Sequence, residues 1–521
     1  MRIDTLSAVR DDSLRADCCI VGSGPAGLTV ARELAGSGLS VVLVESGGLE
    51  PDPVADALND SESIGAPREP DGPAKRNRVL GGTSLTWSGR SVVFDPIDFE
   101  VRPWVPHSGW PVSRTALAPY FERSKEHLGA PVADNRDAEF VRSATAGTPA
   151  PDPSRLDPYA WALSRDAADP GDSMRFGPRA LREAMPGVRA LLRATVVRIE
   201  VGEDGSRVES LTVMTPGGEP RTIRATVVVL AGGAIENARL LLASRVGTAS
   251  DQVGRYLMDH LRGPVATFAR PDHARLQRLF GNRSLPGGGT VTPGFALSRA
   301  AQERESLLNA AAWIFPTTAP ADPFTRISGA RRAPVAAASA ALRHPALLLE
   351  GAVRMGVQRR TPVRLLDRLE LHAIVEQRPD PASRVTLADR RDALGVPIPR
   401  IDWRVSEQEA RTVSRTRDFV VDLLAGAGLP TPAPLPLLRE DGSFVLPDVA
   451  HPMGTTRMSA RPEHGVVDVD CAVHGTPNLL IAGSSVFPTG GHANPTQLIV
   501  ALAVRVADAV KERAAALGTE S

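Results

Sequence analysis

The feature that most constrains this chain is the stretch 18–45, where an apolar run, a glycine-rich turn, a helix-type segment and a second apolar run follow in order. The turn reads Gly22-x-Gly24-x-x-Gly27, and Glu45 closes the second apolar run. In a βαβ unit such glycines let the backbone approach a pyrophosphate at the helix N-terminus, and the acid binds ribose hydroxyls. Because all these parts occur together, the stretch predicts a dinucleotide-binding unit rather than an ordinary tight turn.

Length and composition limit the classes of protein that this chain can belong to. Its 521 residues exceed one simple core, so two domains, or one domain with large insertions, are expected. Hydrophobic residues make up 42% and charged residues 23%, as in ordinary globular proteins. The 60 basic residues balance 60 acidic ones, which argues against a nucleic-acid partner.

The cysteines and the start of the chain bear on location. Cys18, Cys19 and Cys471 are too few and too scattered for a disulfide framework, so we expect free thiols in a reducing compartment. The first residues lack an apolar signal segment, and no apolar run reaches the roughly 18 residues of a membrane span. The expected location is therefore cytoplasmic, with no membrane span.

A second strand–glycine–helix junction near residue 230 predicts that the nucleotide-binding domain is discontinuous. The predicted fold class is α/β: a discontinuous Rossmann-like domain and a sheet-containing substrate domain. The predicted boundaries are 1–130, 173–261 and 441–521 for the nucleotide-binding domain, 131–172 for an irregular connection, and 262–440 for the substrate domain.

The segment Ala333–Arg364 is rich in Ala, Leu and Arg. Such a segment can be a basic amphipathic surface for a membrane or a partner. We favour a solvated helix pair that covers the substrate domain, because Arg is abundant throughout the chain.

Two glycine-rich segments near the C-terminus carry the chemistry. The first begins His451-Pro-Met-Gly-Thr-Thr, and the second reads Gly490-Gly-His492-Ala-Asn494-Pro-Thr. Neutral imidazole has a pKa in the range that suits a general base near pH 7.

The chain resembles the glucose–methanol–choline (GMC) oxidoreductases, flavoenzymes that oxidise alcohols. Five motifs carry the resemblance: the N-terminal glycine fingerprint, the Gly81-Gly82-Thr-Ser loop, residues 231–242, Val253-Gly-Arg-Tyr-Leu-Met-Asp-His260, and the C-terminal pair of segments. The resemblance implies FAD rather than NAD. Glycine-rich pieces from distant parts of the chain agree with this, since they must surround a cofactor longer than one βαβ unit can hold.

The resemblance assigns roles to the C-terminal pair. His451 is expected to be the general base, with hydride transfer to flavin N5, and Asn494 is expected to orient the alcohol and stabilise its developing negative charge. A His–Asn pair is typical of the pyranose-oxidase-like and sugar-dehydrogenase-like branches, which favours sugar-type substrates. For His492 a substrate contact and a supporting role stay open, and His260 is expected to be structural.

Further residues are expected to contact FAD. Thr86 stands where pyranose-oxidase relatives attach FAD through a histidine, so the cofactor is expected to be non-covalent. The expected contacts of the cofactor, in addition to the fingerprint residues and Glu45, are Gly82, Thr83, Ser84, Ser88, Val197, Gly483, Ser484, Pro495 and Thr496.

Gln377 ends an apolar strand and is the candidate donor to substrate hydroxyls, with a solvated strand end as the alternative. The predicted function is an FAD-dependent oxidation of a CH–OH group of a sugar, glycoside or related polyol to a ketone, with no metal. The electron acceptor is oxygen or a carrier, and the oligomeric state is open. A quinone-linked dehydrogenase is the alternative; a non-oxidising lyase of the same fold is disfavoured by the intact His–Asn pair.

Overall fold

The computed structural model describes residues 1–9, 13–68, 75–169, 172–285, 289–328 and 334–518. The strands in these residues are β1 (Arg2–Thr5), β2 (Ser13–Val21), β3 (Val41–Val44), β4 (Glu62–Gly65), β5 (Arg90–Ser91), β6 (Leu156–Leu163), β7 (Val188–Leu192), β8 (Thr195–Val201), β9 (Val208–Met214), β10 (Arg221–Leu230), β11 (Leu261–Thr267), β12 (Arg283–Ser284), β13 (Thr290–Leu297), β14 (Ala310–Thr318), β15 (Leu366–Val375), β16 (Arg384–Arg391), β17 (Pro397–Trp403), β18 (Ala433–Pro434), β19 (Ala472–Val473) and β20 (Thr476–Ile481). The α-helices are α1 (Pro25–Leu34), α2 (Pro53–Asp56), α3 (Arg114–Leu128), α4 (Ala138–Ala144), α5 (Phe176–Arg182), α6 (Gly233–Ser244), α7 (His273–Phe280), α8 (Arg299–Glu305), α9 (Pro323–Ser328), α10 (Pro334–Arg343), α11 (Pro345–Gly356), α12 (Glu407–Gly426) and α13 (Thr496–Gly518).

The first sheet is built around parallel strands and has the order β1-β7-β3-β2-β10-β20-β19, with β8 and β9 attached beside β10. The central strand β2 is apolar along its length, and Cys18 and Cys19, which point to opposite faces, are both fully buried and free. Burial on both faces is the expected state of an inner parallel strand, because helices cover each side of the sheet. The sheet therefore has the mixed α/β, Rossmann-like form predicted for an FAD domain.

The second sheet is mainly antiparallel, with the order β18-β11-β15-β14-β13-β6-β5 and β12 beside β13. Helix α12 packs against one face of this sheet. Ser406 caps α12 in a capping box with Glu409, so local sequence specifies where this helix begins. The opposite face is left for the site described below.

A small third sheet, β16-β17-β4, joins the N-terminal region to the substrate region. In it β4 runs parallel to β17. The domain boundaries given above stay a prediction.

One expectation about the fold is wrong. Residues 131–172 were expected to be an irregular connection, yet they contain α4 and the eight-residue strand β6, which pairs along its length with β13. Asp157 and Pro158 interrupt the alternating pattern of β6, so the strand is set by its partner rather than by local sequence.

The predicted helix pair of the Arg-rich segment forms α10 and α11. In the part of the chain that is described, no helix combines the length and the apolar character needed to cross a bilayer.

Gly27→Ala is expected to destabilise the protein with or without cofactor. A Cβ at Gly27 would overlap the carbonyl oxygen of Gly22, so helix α1 must move away from its strand, at a cost of about 1–3 kcal/mol. The thermal unfolding midpoint of the apoprotein measures this. Gly426→Ala is the matched control, because nothing lies within 4 Å of a Cβ there; equal midpoints for the Gly27 variant and the parent would contradict the prediction.

Candidate active site

Three glycine-rich segments from distant parts of the sequence touch one another. A Cβ at Gly22, whose φ is +102°, would lie 2.6 Å from the carbonyl oxygen of Ala231. A Cβ at Gly82 would lie 2.9 Å from the Cα of Gly24. Only glycine permits these approaches, so the turns after β2 and β10 and the Gly81-Gly82 loop meet at one place.

Other glycines at this place face open space. Nothing lies within 4 Å of a Cβ at Gly24 or at Gly483. Gly24 is the N-cap of α1 and provides no side-chain hydrogen bond to it, so the N–H groups of the first turn remain available to an anionic ligand. This uncapped, open helix N-terminus fits the pyrophosphate of FAD.

Glu45 directly follows β3 and stabilises the glycine turn. Its Oε2 accepts hydrogen bonds from the N–H (3.0 Å) and the hydroxyl (2.6 Å) of Ser23, and its Oε1 accepts one from the N–H of Gly47 (2.9 Å). A carboxylate has about four acceptor positions. One position therefore remains for a ribose hydroxyl.

Val197 lies at a β-bulge. The register of β8 on β9 shifts between Val196 and Arg198, so Val197 has no opposite residue in the ladder. A bulge frees the backbone groups of the extra residue. Its N–H and C=O are therefore suited to the backbone contact with adenine expected from the resemblance.

The loop that follows Gly81 is a short 3₁₀ helix, Gly82–Leu85. Ser84 is buried and its hydroxyl donates to the carbonyl of Gly81 (2.7 Å), so its side chain shapes the loop. Thr83 accepts a long hydrogen bond from the N–H of Asn77 (3.4 Å). Ser88 is exposed and therefore accessible to a ligand.

Thr86 is also exposed, and its hydroxyl accepts from the amide of Asn77 (2.8 Å). The indole of Trp87 donates to the carbonyl of Met174 (2.7 Å), which fixes the ring as a packing element.

The C-terminal contacts form around the end of β20. The hydroxyl of Ser484 donates to the carbonyl of Pro452 (2.7 Å), which links this turn to the His451 segment. The carbonyl of Pro495 accepts from the N–H of Ile499 (2.9 Å), so Pro495 opens the first turn of α13, immediately before Thr496.

His451 is held by a second histidine. Its Nδ1 lies 2.9 Å from Nδ1 of His260, and the two rings are perpendicular. Nε2 of His260 lies 2.8 Å from the carbonyl oxygen of Gly491 and 3.3 Å from that of Gly490. Carbonyls only accept, so the proton of a neutral His260 must be on Nε2, and its Nδ1 must accept from His451. This leaves Nε2 of His451 without a proton.

Electrostatics keep both rings neutral. Burial lowers the pKa of His451 well below its ordinary 6.5, and nearby His260, Arg262 and Arg90 lower it further. Burial also lowers the pKa of His260, despite its carbonyl partners. Both imidazoles are therefore neutral at pH 7, as the hydrogen-bond pattern requires.

Asn494 follows the same glycine segment that holds His260, so the two C-terminal segments meet through that histidine. Asn494 is 5% exposed, and its Oδ1 has no hydrogen-bond partner among the described residues. A buried acceptor without a partner costs free energy. A ligand hydroxyl can supply the missing donor.

His492 is fully buried and packs edge-on against Tyr159, with ring centroids 4.9 Å apart. Its Nδ1 is 3.8 Å from Asp95, and burial lowers its pKa to about 4. No part of the ring reaches open space. The geometry therefore favours a supporting role for His492 over direct contact with a substrate.

Two expectations need correction. Gln377 is 1% exposed; its Oε1 accepts from the N–H of Asp259 (2.7 Å) and the indole of Trp403 (2.8 Å), and its Nε2 donates to the carbonyl of Arg404. It joins three segments and is not available to a substrate. His260 was expected to be structural, yet it contacts the candidate base. Its position at the end of the motif 253–260 is the sequence feature that could have indicated a place in the site.

Comparisons with known proteins identify the family and the relatives that this chain resembles. The GMC oxidoreductase family matches residues 178–262 and 379–503 in its N- and C-terminal parts, and an FAD binding domain matches residues 15–60. The chain is 26% identical to paromamine 6'-oxidase of Streptomyces fradiae, over 96% of this chain and 92% of that protein. It is 24% identical to the fructose dehydrogenase large subunit of Gluconobacter japonicus, over 96% and 98%.

A solved structure has the same fold. Pyridoxine 4-oxidase from Mesorbium loti matches with a TM-score of 0.54 and 17% identity, over 95% of this chain and 98% of that one.

Gly24→Ala is expected to weaken FAD binding without destabilising the apoprotein. The new methyl group points into the open space at the start of α1, so it meets the ligand rather than the protein. FAD affinity, followed by flavin fluorescence on reconstitution, should fall by about tenfold or more, a loss of about 1.4 kcal/mol. The apoprotein should unfold at the temperature of the parent, in contrast to Gly27→Ala; unchanged FAD affinity would contradict the prediction.

Proposed function

Since the chain belongs to the GMC oxidoreductases and is an FAD-dependent enzyme, we propose that it oxidises a CH–OH group of a sugar, glycoside or related polyol to a ketone. His451 is the general base, and Asn494 orients the alcohol. The relatives named above carry paromamine and fructose in their names, which supports a carbohydrate-type substrate.

The observation that carries the proposal is the hydrogen-bond chain from Gly491 through His260 to His451. It supports an imidazole that has its lone pair on Nε2 and whose ring is held in one orientation. A general base must be both unprotonated and positioned, and this arrangement supplies both. The low pKa of His451 limits its strength as a base but keeps it ready at neutral pH.

In the proposed reaction Nε2 of His451 accepts the hydroxyl proton of the substrate. Oδ1 of Asn494 accepts a hydrogen bond from a second substrate hydroxyl, or its amide donates to the reacting oxygen as negative charge develops. Bound FAD supplies the acceptor for the hydride, at N5. The positive charge that forms on His451 is shared with His260, which stays hydrogen-bonded to it.

We assign FAD to the open face formed by the three glycine segments. The residues proposed to hold it are Gly22, Gly24, Gly27, Glu45, Gly82, Thr83, Ser84, Ser88, Val197, Gly483, Ser484, Pro495 and Thr496. Binding is proposed to be non-covalent, because Thr86 cannot form the histidyl link of pyranose-oxidase relatives. These residues belong to the ranges 1–130, 173–261 and 441–521 assigned to the FAD-binding domain.

His451→Ala is expected to bind FAD and to slow flavin reduction by substrate about 10²–10⁴-fold, the usual contribution of a positioned general base. Anaerobic stopped-flow mixing with a panel of sugars and glycosides, followed at the visible flavin band, measures the rate. His464→Ala, which changes an exposed histidine, is the control. Reduction of the His451 variant at the parental rate would refute the assignment of the base. Reoxidation by oxygen or by a quinone in the same instrument identifies the electron acceptor.

His260→Leu is expected to lower the rate of flavin reduction about tenfold or more, because Nδ1–H of His451 loses its acceptor and the proton can move to Nε2. His260→Asn should retain more activity, since its Oδ1 can accept the same hydrogen bond. Equal rates for the Leu and Asn variants would contradict this role.

The pH dependence of flavin reduction follows from the low pKa of His451. The base is deprotonated above its pKa, so the rate at saturating substrate should stay level as pH falls from 8 to 6.5 and should decline only well below 6.5. An acid limb centred at or above 6.5 would show that the base is another group.

A further inference from the structure

The face of the second sheet opposite α12 carries aromatic and charged side chains beside His451. Residues directly opposite on neighbouring strands share a face, and so do alternate residues along one strand. His372 on β15 lies opposite both Trp313 on β14 and Pro264 on β11, so these three residues share one face. Arg262 is on the same face because it is two residues before Pro264 on β11. Trp161 and Arg90 belong to the same face through β6 and β5.

Arg262 lies next to the candidate base. It lies in β11, two residues after His260, and His260 contacts His451. The lowering of the His451 pKa by Arg262 agrees with this proximity. Arg262 is only partly buried.

Arg90 reaches the same region from the opposite edge of the sheet. Its guanidinium carbon lies 4.4 Å from the ring centroid of Trp313 and 5.2 Å from that of Trp161. Gly294 makes this possible, because a Cβ there would lie 2.6 Å from the ring of Trp161. Two buried indoles thus hold a guanidinium in a fixed position.

Neither arginine has a carboxylate partner among the described residues. One terminal nitrogen of Arg90 is buried and has no hydrogen-bond partner there, and Arg262 forms no ion pair with them. Glu370, an acid on this face, is 3.3 Å from His372 and 3.6 Å from Arg368. Most buried guanidinium groups in proteins are paired, because an unpaired buried charge is costly.

The two cations also repel each other. Burial and the charge of Arg262 lower the pKa of Arg90 to about 9, and burial lowers the pKa of Arg262. Both remain charged at pH 7. The face therefore keeps two positive charges near His451 that have no ion-pair partner among the described residues.

We propose that Arg90 and Arg262 bind an oxyanion of the substrate, so that the enzyme prefers sugars that carry a carboxylate or a phosphate over their neutral analogues. This inference rests on the proposed function and narrows its substrate class. A guanidinium pairs with carboxylate or phosphate through two parallel hydrogen bonds, which would orient the sugar ring as well as attract it. The ring would then lie between the sheet and His451.

Matched ligands test the proposal directly. Methyl β-D-glucuronide and methyl β-D-glucoside differ only at C6, where one carries a carboxylate and the other a CH₂OH group; glucose 6-phosphate adds a phosphate. Calorimetry measures their affinities for the holoenzyme at low and at high salt. Galacturonate is included as a second anionic sugar with a different ring. We expect at least one anionic sugar to bind about tenfold or more tightly than its neutral analogue, with affinity that falls as salt increases. The carboxylate and phosphate arms identify which oxyanion is recognised.

Arginine variants locate the preference. Arg262→Gln and Arg90→Gln should each remove most of the preference for the anionic sugar while leaving affinity for the neutral one within about twofold. Arg262→Lys should keep part of it, because it retains the charge without the two-point geometry. Arg299→Gln, which changes a surface arginine paired with Glu303 (3.1 Å), should leave the preference intact. Flavin content shows that each variant is folded.

Two results would overturn the proposal. The first is that every neutral analogue binds as tightly as its anionic counterpart or more tightly, which includes the case in which no anionic sugar binds measurably. The second is that the preference for the anionic sugar survives in both glutamine variants. If the arginines instead act only on the reacting oxygen, the variants slow flavin reduction by neutral sugars and leave binding unchanged, which also counts against it. Failure here is separate from failure of the proposed function, because reduction of the flavin by any sugar through His451 is measured independently.

Discussion

The hydrogen bond between His260 and His451 is the interaction on which the candidate site depends. It connects three segments: the start of β11, the His451 loop and the glycine turn before Asn494. Backbone carbonyls cannot change their role, so they fix the proton of His260, and His260 in turn fixes the proton of His451. The proton position on the candidate base is thereby fixed by two carbonyl oxygens that do not contact His451 itself.

The glycines act in a comparable way on the cofactor side. Gly22 and Gly82 are needed because another backbone segment occupies the space where a side chain would be, whereas Gly24 and Gly483 face open space. The first pair holds the segments together, and the second pair leaves room for a ligand. In the proposed assignment, the N-terminus of α1 and the backbone of Val197 would provide polar contacts to the dinucleotide.

The two sides of the site differ in charge. The glycine side offers backbone donors to a phosphate, and the sheet side offers Arg90 and Arg262 close to a neutral imidazole. Burial lowers the pKa of His451, and these positive charges add to that effect; the same charges could attract an anionic substrate. Under the proposal, the pKa of His451 and the preference for an anionic substrate depend on the same electrostatic field.

The sequence by itself determined the nucleotide-binding turn, because that turn depends on residue types at fixed spacing within a short segment. Through the resemblance carried by its motifs, the sequence also indicated the family, the FAD cofactor and the candidate pair His451 and Asn494. Tertiary structure decided the role of His260, since its partners are about 190 and 230 residues away in the chain. It also excluded Gln377 from the site, because the side chain of Gln377 is hydrogen-bonded to distant segments. The segment 156–163 forms strand β6 because it pairs with β13, which is likewise distant in the chain. A short sequence motif specifies which chemical groups a turn carries. The position of a proton on a histidine, or the lack of an ion-pair partner for an arginine, depends instead on which distant segments the fold brings into contact.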